Sequence, residues 1–100
     1  MTTLREWIAE WHGDELLFLS EPEYDAAILG VVEQAGGFRA VLYDRGKLRE
    51  VLIDKGLLPE EADEHLDFNV TGAYVGPHTP CFLDRMDFGE LSPDIQRLTP

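Results

Sequence analysis

The stretch that decides the fold is "AAILGVVEQAGGFRAVLYDRGKLREVLIDKG", residues 26–56. Two segments rich in β-branched and aromatic residues, "AAILGVVEQ" (26–34) and "GFRAVLYD" (37–44), flank Ala35-Gly36-Gly37. That pattern predicts a β-hairpin turning on glycine. Ala26, Ala27 and Leu29 also permit a helix over 24–34, and the residues alone leave that alternative open. Immediately afterwards the period changes. Asp44 stands where a helix N-cap belongs, Leu48, Val51 and Leu52 form one apolar stripe, and Gly56 closes the segment. A hairpin feeding directly into a helix predicts an α+β fold.

Working outward, Pro59 suits the first turn of a second helix, and Glu60 and Glu61 favour its positive end. Ala62, Leu66, Asn69 and Val70 share a helical face, while Glu60, Glu61, Asp63, Glu64 and Asp67 line much of the rest as an acidic ridge. Gly72 and Gly76 offer exits, and Thr79-Pro80 opens a last extended piece, "CFLD", whose direction relative to the hairpin stays open. Upstream, Thr3-Leu4-Arg5-Glu6 reads as a capping box, and Leu4, Trp7, Ile8 and Trp11 form a stripe that Gly13 ends. The two tryptophans are expected to dock on the core, with a partner-binding aromatic stripe as the alternative. The expected architecture is a small sheet, hairpin plus one later strand, covered by a helical hairpin and joined by an N-terminal amphipathic helix. Residues 1–84 form the domain, and 85–100 a polar extension with a last helical turn at "SPDIQRL".

One hundred residues with 44% apolar content suffice for one modest core. No apolar run approaches the roughly 18 residues of a membrane span, and the N-terminus lacks the cationic region of a signal peptide. Lone Cys81 excludes an internal disulfide, in keeping with a cytoplasmic setting. Charge is the strongest global signal: eight Lys and Arg against twenty Asp and Glu leave −12. Residues 1–37 carry −7, 38–56 carry +2 and 57–100 carry −7. Such a chain repels nucleic acid and anionic membrane and is drawn to basic protein surfaces.

Several constellations bear on chemistry. Asn69, buried on an apolar face, would need partners and is expected to brace the helix against backbone freed at the glycine turn; the alternative is a ligand-facing amide beside Tyr74. Arg45 and Lys47 at a helix start suit a phosphate or nucleotide, although the full phosphate-loop frame is missing. Glu61 and His65 at i, i+4 are too small a set for a metal, and no metal or other cofactor is implied. His78, Cys81 and Asp84 contain a nucleophile and a base but no oxyanion donor, and their spacing points them to opposite faces. "DFG" at 87–89 is a kinase motif by letters alone. The balance lies with binding rather than catalysis.

Three blocks carry a resemblance: "EYDAAILGVV", "VLYDRGKLREVLIDKG" and "EEADEHLDFNVTGAYVGPHTPCFLD". Ala27, Ile28, Gly30 and Val31, then Tyr43-Asp44, then Phe68-Asn69, Gly72-Ala73-Tyr74-Val75-Gly76 and Thr79-Pro80 make a compound motif. In these the chain resembles a family of small proteins of phage, prophage and bacterial genomes. The likeness spans about residues 24–84. It implies a mobile-element setting and no particular reaction. Combined with the charge, it directs expectation to an interaction protein that binds a basic host surface, including anti-defence inhibition (an anti-CRISPR type) by nucleic-acid mimicry. Carboxylates at 60, 61, 63, 64 and 67 would make the contact. The alternatives are a nucleotide or phosphate binder using Arg45, Lys47 and Asn69, and a homodimer joined through Trp7 and Trp11.

Overall fold

A computed structural model of the chain describes residues 3–13, 15–70 and 75–86. The expectations placed on Gly72, Tyr74, the "DFG" letters and the last helical turn fall outside those residues. Within them the fold is α+β. Helix α1 spans Leu4–His12, strand β1 Ile28–Glu33, strand β2 Arg39–Asp44, helix α2 Arg45–Asp54, helix α3 Pro59–His65 and strand β3 Cys81–Leu83. A 3-10 turn, Pro22–Ala27, precedes β1, and a π-turn, Leu66–Val70, extends α3.

The hairpin forms as its composition predicts. β1 and β2 pair antiparallel, Val31 opposite Val41 and Val32 opposite Ala40, with a bulge between Ile28 and Gly30. Gly36 and Gly37 take φ of 100° and 87°, a region costly for any residue with a Cβ, and the Gly37 N–H donates to the Gln34 carbonyl at 2.9 Å. The helical alternative survives only as the 3-10 turn: Pro22 fixes its first φ, and Tyr24 and Ala27 are buried by it. β3 settles the open question of direction by running parallel to β2, Leu42 opposite Cys81 and Tyr43 opposite Phe82. A parallel return needs a long crossover, which the segment containing α2 and α3 supplies. Pro80 stands just before β3, where a missing N–H costs no ladder bond.

β2 is therefore the central strand, and its Ala40, Val41 and Tyr43 are fully buried. Val41 and Tyr43 share a core with Leu48 and Leu52 of α2, Ala62 of α3 and Leu66, so the helical hairpin covers that face of the sheet. Ile8, Leu16 and Tyr24 close the same core. The Tyr43 ring stacks on Phe82 at 6.1 Å, and its hydroxyl accepts a hydrogen bond from the Leu19 N–H at 3.0 Å. Burial raises the Tyr43 hydroxyl pKa above the usual phenol range. Among the described residues, no helix is long and apolar enough to cross a membrane.

Two expectations fail, each for a local reason. The tryptophans do not dock on the core: Trp7 is 51% and Trp11 67% exposed, and only Ile8 of α1 is fully sequestered. The helix instead turns Arg5, Ile8, Ala9 and His12 inward, the stripe adjacent to the apolar one. Arg5 explains the choice. Its Nε donates to both Asp25 carboxylate oxygens at 2.9 and 2.8 Å, its Nη2 donates to the Leu19 carbonyl at 2.5 Å, and its guanidinium lies 5.1 Å from the Phe18 ring centroid. The second failure is Asn69, which is exposed, while Ala62, Leu66 and Val70 are buried. A π-turn advances each residue by less than the 100° of an α-helix. Val70 is thereby brought under Leu66, and Asn69 is rotated off the apolar face. Its Nδ2 lies 3.4 Å from His65 Nδ1, and the glycine-turn backbone at 71–74 that it was expected to brace lies outside the described residues.

Candidate interaction surface

The α3 ridge is assembled by local capping and by cross-helix pairing. Pro59 opens the helix, and the Glu61 Oε1 accepts the Leu58 N–H at 2.8 Å, so Glu61 serves as an intrahelical cap. Asp63 accepts from Arg49 Nε at 2.9 Å and lies 3.9 Å from Arg45 Nη1. Asp67 accepts from Arg45 Nη2 at 2.7 Å. The two arginines of α2 thus bind the inner edge of the ridge and tie α2 to α3. Glu60 and Glu64 form its outer edge, exposed and without an ion pair among the described residues.

The same pairing extends over the molecule. Each of the seven Lys and Arg side chains among the described residues meets a carboxylate: Arg5 with Asp25, Arg39 with Glu33, Arg45 with Asp67, Lys47 with Glu50, Arg49 with Asp63, Lys55 with Glu23, and Arg85 with Asp44. The Lys55 hydrogen bond holds the Glu23 carboxyl below the usual range, and Glu23 in turn raises Lys55. Exposed pairs of this kind add little to stability, because solvent screens them. Their larger effect is on the field. They cancel the cations where they stand, leaving exposed carboxylates such as Glu6, Glu10, Asp54, Glu60, Glu64 and Asp84 without a counter-ion among the described residues.

The ligand-site candidates are dispersed. At the start of α2, the Asp44 Oδ1 accepts the Lys47 N–H at 3.2 Å, and its Oδ2 accepts from Arg85 Nε at 2.7 Å. A carboxylate already occupies the position an anion would take. Lys47 is drawn to Glu50 at 3.3 Å, and Arg45 to Asp67. A cavity of about 400 Å³ beside them is lined by Lys47, Arg49 and Arg85 but equally by Asp44, Glu50 and Asp84. Asn69 lines a different cavity, about 460 Å³, with Phe18, Leu19, Val75, Pro80 and Phe82, and no titratable side chain is among its described lining residues. Its described lining is mostly apolar, with Ser20 and Asn69 as the polar side chains, and suits an apolar group.

The catalytic and metal candidates separate in the same way. His78 Nδ1 lies 2.8 Å from the Arg39 carbonyl oxygen and its ring meets Phe38 edge-on at 5.8 Å, while Cys81 Sγ lies 3.7 Å from Gln34 Nε2. Neither has the other as partner. Glu61 caps a helix and His65 faces Asn69, so that pair is divided too, and no group of three or more His, Cys, Asp or Glu suited to a metal occurs among the described residues.

The outer face of α1, which the sequence offers only as the alternative to docking on the core, is exposed. Leu4, Trp7 and Trp11 lie along it, with the indole centroids 6.0 Å apart and the rings tilted by 47°. Arg5, at the border of the apolar stripe, was the available signal, because its pairing with Asp25 turns the adjacent face inward. Compared with protein-family models, curated proteins and solved structures, the chain matches none.

Proposed function

We propose that the protein is a small acidic interaction module that binds a basic surface on another protein, a surface of the kind that otherwise holds nucleic-acid phosphates. One observation carries this reading: every described cation is neutralised in place, so the exposed remainder is carboxylate without competing positive charge. Rows of unpaired carboxylates on a rigid helix can occupy the arginines and lysines that recognise a phosphate backbone. Glu60 and Glu64 supply that charge on α3, while Asp63 and Asp67 hold the helix in position against Arg49 and Arg45. With the mobile-element resemblance, the target class we put forward is host nucleic-acid machinery, defence systems included.

The test is affinity capture on the wild-type chain beside Glu60→Lys/Glu64→Lys, followed by titration of the identified partner at several salt concentrations. Glu61 is left unchanged because its replacement would also remove the α3 cap. Affinity should fall steeply with salt, double-stranded DNA should compete, and the double variant should lose most of the binding. Salt-insensitive binding that DNA does not displace would reject the reading.

A further inference from the structure

The outward stripe of α1 combines two properties. Leu4, Trp7 and Trp11 are 44%, 51% and 67% exposed, an apolar face that no other described element covers. Beside it a groove of about 180 Å³ runs between α1 and β1, lined by Leu4, Trp7, Ile8 and His12 of α1 and by the start of β1, where Leu29 is also 40% exposed. Contiguous exposed apolar surface of this kind marks binding sites, and tryptophan is the residue most enriched where binding energy concentrates. The second property is charge. Glu6 and Glu10 immediately precede the two tryptophans, are exposed and have no ion pair among the described residues. The one lysine or arginine of α1, Arg5, is turned inward to Asp25.

These properties select the occupant. A second copy would bring a net −12 against −12 and, across a two-fold axis, set the same carboxylates near each other. A cationic segment meets complementary chemistry at each point: guanidinium groups over the indole faces, further basic groups on Glu6 and Glu10, and one apolar side chain in the groove. We infer that the Trp7–Trp11 face of α1, with Glu6 and Glu10, docks an arginine-rich segment of a partner protein that seats an apolar side chain between α1 and β1. This rests on the reading that the partner is basic, and adds where and how it is gripped.

The test uses the whole chain and three synthetic peptides at low ionic strength: an arginine-rich peptide with a central leucine, the same peptide with serine at that position, and oligolysine. Both tryptophans of the protein lie in α1, so their emission reports the site directly. The leucine peptide should shift that emission to shorter wavelength. Trp7→Ala/Trp11→Ala, followed by calorimetry and shown by circular dichroism to be folded, should weaken binding at least about tenfold, and the serine peptide should bind the wild type correspondingly less well. Basic peptides that bind the double variant as tightly as the wild type would overturn this inference and leave the acidic-module reading standing. No binding of any of the three would also overturn this inference, and the acidic-module reading would then be decided by the Glu60→Lys/Glu64→Lys capture and its salt dependence. A dimer in sedimentation that the double variant dissolves would assign the face to a second copy instead.

Discussion

Arg5 decides which side of α1 faces water, and the strength of that decision can be measured. Its side chain is 31% and that of Asp25 25% exposed, so the pair lies between surface and interior. Charge-assisted hydrogen bonds contribute about 1.5–3 kcal/mol when well shielded, and fully exposed ion pairs about 0–1 kcal/mol. Intermediate burial, with one donor shared by two carboxylate oxygens and a second on the Leu19 carbonyl, places the loss in Arg5→Met near 2 kcal/mol. Methionine keeps an unbranched apolar stem at position 5 but removes the guanidinium, and with it the ion pair, the Leu19 hydrogen bond and the stacking over Phe18. For a chain of this length the thermal midpoint should fall by about 10 °C. Arg5→Met, Asp25→Asn and their combination, each melted by circular dichroism, form a double-mutant cycle whose coupling should be about 1–2 kcal/mol. Tryptophan emission, already that of exposed indoles in the native state, should change little on unfolding. A coupling under about 0.5 kcal/mol, or strongly blue-shifted native emission, would refute the account of α1.

Tyr43→Phe keeps the ring on Phe82 but leaves the Leu19 N–H without its acceptor, and should cost about 1–2 kcal/mol by urea titration. Burial raises the Tyr43 pKa in the folded state, so its contribution is intact below about pH 10 and is lost as pH rises through the folded value. The wild type should therefore lose stability at alkaline pH more steeply than Tyr43→Phe. Asp44→Ala removes the α2 cap and the partner of Arg85, and should lower stability by about 1 kcal/mol, whereas Asp44→Asn, which keeps a capping oxygen, should cost less; equal losses would disprove the capping role.

Much of this fold is written in local chemistry. Gly36-Gly37 between β-branched segments, Asp44 ahead of an amphipathic run and Pro59 ahead of two glutamates each act within a few residues, so their outcome can be read from neighbours alone. What escaped were features decided at a distance or by helix pitch. Arg5 meets Asp25 twenty residues on, and that pairing, not the apolar stripe, sets the rotation of α1. The wider turn at 66–70, with more residues per turn, removed Asn69 from the face an α-helix would have given it. Of the ridge, the positions of Glu60 and Glu64 follow from the helical period, whereas the capture of Asp63 and Asp67 by Arg49 and Arg45 depends on how α2 and α3 lie side by side. The alternating charge of the central and flanking segments hinted at that cross-helix pairing without assigning partners.

The parallel pairing of β3 has a consequence for the newborn chain. During synthesis the hairpin and both helices leave the ribosome before residues 81–83, so one margin of β2 stays open until those residues have emerged. Until then the Cys81–Leu83 strip has no substitute, and a ribosome stalled ahead of it would display an incomplete sheet to chaperones and to other nascent chains.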